Sequence, residues 1–353
     1  MKKYNVQDIR GGEVLAKPLM TSSYRVILSE NAVLRKEYIE RLKELGFQEI
    51  YIKEENADRR DAQEIRYVRQ DVETSFRKKV KAILESHVDL DNDDLRELNQ
   101  VAEDIIYSIL EEEDVIESVI AIKERSADIY EHAVNCCVLA VILSARMKLD
   151  HDTIHSIGVG CLLHDIGLRY ITQDFQDVKI EKMPEEWQIE YKKHPVYGYC
   201  KVKDQGWLSQ LSKDIILYHH ECEDGSGYSF HRKKMPQEIA IVNVCDSFDE
   251  LISGIGCRRM RVYKAVEYLK CFQNIKFNDK IVNEFLGIVA VYTTGSKVRM
   301  INGEEAVVIR QNREFPDRPV VRITRNKRGE YLSNGKEIDL LKERTNFITD
   351  VLN

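Results

Sequence analysis

The sequence predicts a mainly α-helical protein, with a small α/β module ahead of the helices and a small antiparallel β segment behind them. Three observations carry this reading. Apolar residues recur at helical spacing through the charged stretch 59–115, for example Val80, Ile83 and Leu84, then Leu98, Val101 and Ile105. Residues 134–145 form a continuous apolar run, which fits a buried helix. Residues 295–324 alternate instead, as KVRM, EEAVVIR and RPVVRIT, punctuated by Asn302-Gly303 and by Pro316 and Pro319, and Asn-Gly between such runs signals a hairpin.

Taken in order, residues 1–58 read as the α/β module, with strands at 14–18, 24–28 and 49–52 and an amphipathic helix at 34–45. A packing or dimerisation role without a site suits it best. Residues 59–115 read as a charged helical linker with a break at 89–93, and pairing of such helices predicts a homodimer. Residues 116–290 form the helical core. Residues 291–353 form the β-rich extension, with a short final helix. The arginines at 310, 313, 318, 322 and 325 alternate there with acids and read as a solvated sheet face rather than a phosphate strip.

The chain has 353 residues, 32% of them charged and 43% hydrophobic, which suits a globular protein of two or three domains. A net charge of −7 argues against general binding of DNA or RNA. Eight scattered cysteines without a CxxC pair read as reduced thiols, and Met1, Lys2 and Lys3 lead into polar sequence rather than a signal peptide. The expected location is cytoplasmic, and the run 134–145 is too short to insert in a membrane.

Chemistry concentrates at residues 215–228, IILYHHECEDGSGY. An apolar helical turn delivers His219, His220 and Glu221 to a loop that Gly225 and Gly227 free for unusual backbone geometry. Adjacent histidines point about 100° apart on a helix, so they suit two neighbouring metal ions better than one. Further candidates lie elsewhere. His164 and Asp165 follow an apolar run, Asp128 and His132 share a helical face at i, i+4, His194 precedes Pro195, and Asp246 and Asp249 follow another apolar run. Nitrogen and carboxylate donors without cysteine suit Fe, Mn, Co or Zn. His87, His151, His155 and His231 carry no such pattern and read as surface or capping residues.

The order of these residues, with HHECEDGSGY, resembles the HD-GYP branch of the HD superfamily of metal-dependent phosphohydrolases over roughly residues 116–290. The resemblance implies an HD-type helical bundle, two or three divalent metal ions, Fe or Mn foremost, and hydrolysis of the bacterial second messenger cyclic di-GMP to pGpG or GMP by a metal-bridged hydroxide. It implies metal ligation by His132, His164, Asp165, His194, His219, His220 and Asp246, with Asp128 where three-metal members carry a glutamate. Asp165 would bridge two ions and act with His164 at the reacting centre. Glu221 and Asp249 would orient ligands. Gly225, Gly227 and Tyr228 would face substrate.

The departures fall in the substrate shell. Leu168 stands where the family carries a phosphate-binding lysine, with Arg169 next to it, and Ser229 replaces the proline of GYP. Gly254 or Ile255 stands where a nucleotide-contacting arginine is common, with Arg258, Arg259 and Arg261 following. Arg169 and Arg258 are the candidate replacements. These changes leave two alternatives open, a degenerate cyclic-dinucleotide receptor or scaffold and a phosphohydrolase of another nucleotide.

Overall fold

A computed structural model describes residues 128–352 except 176–177, 313–314 and 333–334; ahead of these it describes 70–85, 95–110, 120–121 and short stretches between 2 and 52. His87, Arg313, the break at 89–93 and, apart from Leu15, the strand at 14–18 lie outside the described residues.

The chain divides into two compact units, Met1–Gln63 and Glu64–Asn353. In the first, β1 (Lys2–Asn5) pairs antiparallel with β4 (Glu49–Ile52), placing Lys2 opposite Ile52, and β2 (Leu19–Met20) pairs with β3 (Val26–Leu28). A small core of Val6, Ile9, Leu15, Leu34, Leu42 and Ile50 lies within this unit. The first strand was not legible in the sequence, because KKYN carries no apolar alternation.

The second unit begins with α1 (Gln70–Glu85) and α2 (Glu97–Leu110). These helices are not a solvated linker. Val80, Ile83, Leu84, Leu98, Val101 and Ile105 are buried in the same core as the helices that follow, so the apolar stripe expected to pair with a second copy is used within the chain. The core is built around α3 (Ile129–Arg146), in which every residue from Ala133 to Ser144 is buried. A helix apolar on all sides must be surrounded, and α2, α4 (His151–Leu163) and α8 (Gln237–Ser253) pack on it. At 18 residues α3 is also long and apolar enough to cross a membrane by length and composition, which corrects the shorter run read from sequence; 72% of it is buried inside the protein, as befits a core helix.

A 3-10 turn (Ile166–Tyr170) follows α4, and a second (Ile180–Lys182) leads to α5 (Glu185–Tyr191), α6 (His194–Val202) and α7 (Gln210–Tyr218). Gly167 is required here, since a Cβ would lie 1.9 Å from the His194 carbonyl oxygen. After α8 come α9 (Val262–Cys271) and α10 (Asp279–Leu286), and Phe248 meets Phe285 edge-on at 5.0 Å in the core. Truncating either to alanine should cost about 3–5 kcal/mol. The short strands β5 (Ile120–Ala121) and β6 (Val289–Ala290) pair in parallel.

The chain ends in a five-stranded antiparallel sheet of order β10 (Glu337–Asp339), β9 (Val320–Arg325), β8 (Glu305–Arg310), β7 (Lys297–Met300), β11 (Ile348–Leu352). Gly303, at φ +87°, makes the expected turn between β7 and β8. Where a final helix was expected, the chain instead adds the edge strand β11, with Ile348 paired to Met300. The arginines behave as a solvated face: Arg322 pairs with Glu337, and Arg325 and Arg299 with Glu305.

Candidate metal centre

Each motif reaches the centre by its own local logic. Asp128 caps α3 by accepting from the Tyr130 and Glu131 amides, which starts the helix one residue later and turns His132 inward. His164 and Asp165 stand where α4 gives way to the 3-10 turn. His194 opens α6, with Pro195 in the first turn, where a missing N–H costs nothing. His219 and His220 end α7, and Asp246 and Asp249 sit on the inward face of α8.

Side-chain hydrogen bonds fix the ring orientations. Nδ1 of His164 donates to the Cys161 carbonyl at 2.6 Å, that of His194 to Tyr191 at 2.8 Å and that of His219 to Ile216 at 3.1 Å. Nδ1 of His132 donates to the Asp249 carboxylate at 2.8 Å. With Nδ1 committed in all four rings, their Nε2 atoms converge in two pairs. His132 and His164 meet at 3.2 Å, and so do His194 and His219. Two donors each about 2.0–2.2 Å from one ion, at tetrahedral or octahedral angles, lie about 3.0–3.5 Å apart. Where both rings are neutral, nitrogens at that spacing oppose lone pairs, and a cation between them removes the conflict.

Two groups result. In one, Asp246 Oδ1 lies 3.0 Å from His132 Nε2 and 3.3 Å from His164 Nε2. In the other, Asp165, His194, His219 and His220 place their donor atoms within 4.8 Å of one another. Asp165 joins them: its Oδ2 faces His164 and His132 at 3.4 and 3.6 Å, and its Oδ1 faces His194 and His219 at 3.2 and 3.8 Å. Asp165 Oδ2, Asp246 Oδ2 and His220 Nε2 are buried with no hydrogen-bond partner among the described residues. Such orphaned buried atoms are costly unless something positive sits among them. The residues therefore fit divalent cations.

The electrostatics separate the groups. Burial disfavours charge on His132, yet its bonds to Asp246 and Asp249 outweigh this and push it up to about 10. His164 is likewise raised, against burial, by Asp165 and Asp246. Asp165 and Asp246 are held well below the usual carboxylate range by the histidines around them, despite burial. In the second group burial and neighbouring rings dominate, so His219 falls well below the usual value and His220 falls to about 3.

Asp128 is not brought to either group. Its carboxylate is held by the two capping amides and by Arg77. The sequence carried a signal for this, since Asp followed three residues later by Glu is a helix-start pattern. Glu221 accepts from the Phe230 and Arg232 amides at 2.7 and 3.0 Å, pinning the loop rather than touching a ring. Asp224 accepts from the Ser226 amide in an Asx contact that shapes the loop. Asn243, not singled out in the sequence, ties α8 to the His219 carbonyl at 2.8 Å.

A cavity of about 290 Å³ opens on the centre, walled by His220, Gly227, Tyr228, Asn243 and Glu250, with Lys192 and Lys276 also lining it. Tyr228 stacks on His220 at 4.7 Å. Gly227 is needed where it is, because a Cβ would lie 2.5 Å from the His220 carbonyl oxygen. Gly225, Arg169 and Arg258 lie outside the lining. Gly225 turns the loop at φ +81°, Arg169 is half-buried within electrostatic reach of Tyr130, and Arg258 is exposed. Arg259 donates to the Ser253 carbonyl, and Arg261 to the Val351 carbonyl. Leu168 packs into an apolar cluster with Phe175, Ile180 and Tyr191. Ser229 sits at φ +91°, which proline cannot adopt, so its presence matches a different loop path. His151 and His155 pair with Glu103 away from the centre. Glu250, Lys192 and Lys276 were missed because they belong to no local motif and meet only in the folded chain.

Comparison with known proteins agrees with this architecture. Residues 129–251 match the HD domain family, and residues 297–353 match the KOW domain associated with HD domain. A cyclic di-GMP phosphodiesterase of Pseudomonas aeruginosa is 25% identical over 225 residues, 62% of this chain and 53% of the relative. A cyclic di-GMP phosphodiesterase of Thermotoga maritima is 25% identical over 188 residues, 52% of this chain and 50% of the relative. The chain thus spans about half the length of the curated relatives it matches. Among solved structures, an HDG"Y"P protein from Bdellovibrio bacteriovorus shares the fold at 18% identity, with a TM-score of 0.53 over 80% of this chain and 97% of that one. Residues 129–251 thus match the HD domain family and carry the two groups of metal-fitting side chains.

Proposed function

We propose that this chain is a metal-dependent phosphodiesterase of cyclic dinucleotides, with cyclic di-GMP as substrate, pGpG or GMP as product, and Fe or Mn as the metal. One observation carries the reading: two facing pairs of Nε2 atoms are joined by the two oxygens of Asp165, and the centre opens on a cavity. In this reading His132, His164 and Asp246 would hold one ion and His194 and His219 a second, with Asp165 shared between them and His220 within reach of the second. Bound divalent ions supply Lewis acidity to a phosphodiester and lower the pKa of water. The chain's own residues do the positioning. Asp249 fixes the His132 ring, and the Tyr191 and Ile216 carbonyls fix those of His194 and His219. Lys192 and Lys276 line the cavity and offer positive charge to an anionic ligand, in place of the family's lysine at the position of Leu168. Tyr228 gives the cavity an aromatic wall beside His220. The curated relatives named as cyclic di-GMP phosphodiesterases support the substrate class.

A second reading, a receptor that binds the nucleotide without turnover, is favoured by Leu168 lying in an apolar cluster and by Arg258 lying away from the cavity. Turnover of cyclic di-GMP by anaerobically purified, Fe- or Mn-loaded protein, read by nucleotide chromatography, separates the two. Product that disappears in the His164→Ala, Asp165→Ala double variant supports the enzyme. Tight binding of intact nucleotide without product supports the receptor, and product from another cyclic dinucleotide alone reassigns the substrate.

A further inference from the structure

We infer that Glu250, with Asp246 and His220, forms a third cation position on the cavity side of the centre, taking an oxygen-preferring divalent ion such as Mn²⁺ or Mg²⁺. The inference rests on the proposed two-ion centre and adds to it a ligand that lies outside the motifs. Glu250 follows Asp246 by four residues on α8, so both carboxylates leave one face of the helix. Donor atoms of Glu250, Asp246 and His220 lie within 4.8 Å of one another. Asp246 faces the first ion with Oδ1, at 3.0 Å from His132 Nε2. Its Oδ2 is buried, has no hydrogen-bond partner among the described residues, and lies 3.8 Å from His220 Nδ1. This orphaned oxygen, with Glu250 and His220 beside it, marks a place built for something that is not a protein hydrogen bond. Among the described residues the Glu250 carboxylate accepts from the Tyr191 hydroxyl at a long 3.3 Å, which leaves lone pairs to spare.

A neutral imidazole has one lone pair, so His220 serves a single ion. The second ion loses little by this, because Asp165, His194 and His219 remain to it as three donors. The residue aligned with the family's third carboxylate, Asp128, is committed elsewhere, to two capping amides at 3.0 and 2.9 Å and to Arg77. The third carboxylate has therefore moved from the start of α3 to α8. Two carboxylates and one imidazole make an oxygen-rich set, which suits Mn²⁺ or Mg²⁺ over thiophilic ions. An ion held there borders the cavity and would meet a ligand's phosphate directly.

Mn²⁺ titration of the metal-free full chain under anaerobic conditions, followed by electron paramagnetic resonance and by elemental analysis after desalting, tests this. Three ions per chain are expected, the third weakest. Glu250→Gln should raise the dissociation constant of the third ion at least about 10-fold and leave the other two in place. Asp128→Asn, which keeps a capping oxygen, should retain all three. Two ions in the unaltered chain, an unaffected third ion in Glu250→Gln, or loss of the third ion in Asp128→Asn would each overturn the inference. A thermal melt of Glu250→Gln matching the parent excludes misfolding. His164→Ala with Asp165→Ala reports on the underlying centre alone: tight ions persisting there would sink the two-ion reading, independently of Glu250.

Discussion

The two halves of the centre are made of similar parts and hold their protons in opposite ways. Around His132 and His164, Asp246 and Asp249 surround two rings with carboxylate, and His132 keeps a proton up to about 10. Around His219 and His220 the neighbours are mostly other rings, and His220 stays neutral down to about 3. Without metal, the first half stores a proton where a cation would sit, while the second presents bare nitrogen. The same residue type is thus tuned in opposite directions by its neighbours, and Asp165 is the residue that belongs to both halves.

The largest expected effect follows from that sharing. Asp165→Ala should remove both tight ions, whereas His194→Ala should remove only the second; elemental analysis of desalted protein distinguishes these, and equal loss in the two variants would break the division into halves. Next comes pH. In the metal-free protein, the raised His132 is protonated below about 10, so binding at the first half must displace a proton. Its apparent affinity should rise about 10-fold per pH unit throughout the range below about 10 and level off there. The lowered His219 of the second half is neutral across that window and adds no such slope. Calorimetry in buffers of different ionisation enthalpy should find proton release for one ion and little for the other. The same sign governs stability. The contribution of His132 is present in full below 6.5 and is lost as pH rises toward 10, so the metal-free melting temperature should fall over that range.

A smaller effect sharpens the contrast. Asp249→Asn removes the carboxylate that orients His132 and should weaken the first ion about 10–100-fold while sparing the second, read by competitive chelator titration. The smallest belongs to the loop. Tyr228→Leu loses the stack on His220, a contact of about 0.5–1.5 kcal/mol, and should appear as a modest shift in cavity-side ligand affinity with the first ion unchanged.

Much of the centre was legible in the chain because its pieces are local. Adjacent residues at a helix end, as in His164-Asp165 and His219-His220, fix their own directions, and the apolar runs before them announce the helices that carry them. The helical class and the hairpin at Asn302-Gly303 were legible for the same reason. What the chain by itself did not determine is how side chains from different elements share space. Spacing of i, i+4 suggested that Asp128 joins His132, yet a carboxylate at a helix start has two amides within reach and Arg77 beside it, and these hold it. The charges of 59–115 suggested a linker, while burial of one apolar stripe made α1 and α2 part of the core. The last residues found their structure at a free sheet edge beside β7, a partner some fifty positions away, which no local pattern encodes. Glu250 is the clearest case. Its neighbours in sequence make it one more acid on a helix one turn from Asp246, and only the packing of α8 against the turn after α7 brings His220 to the pair.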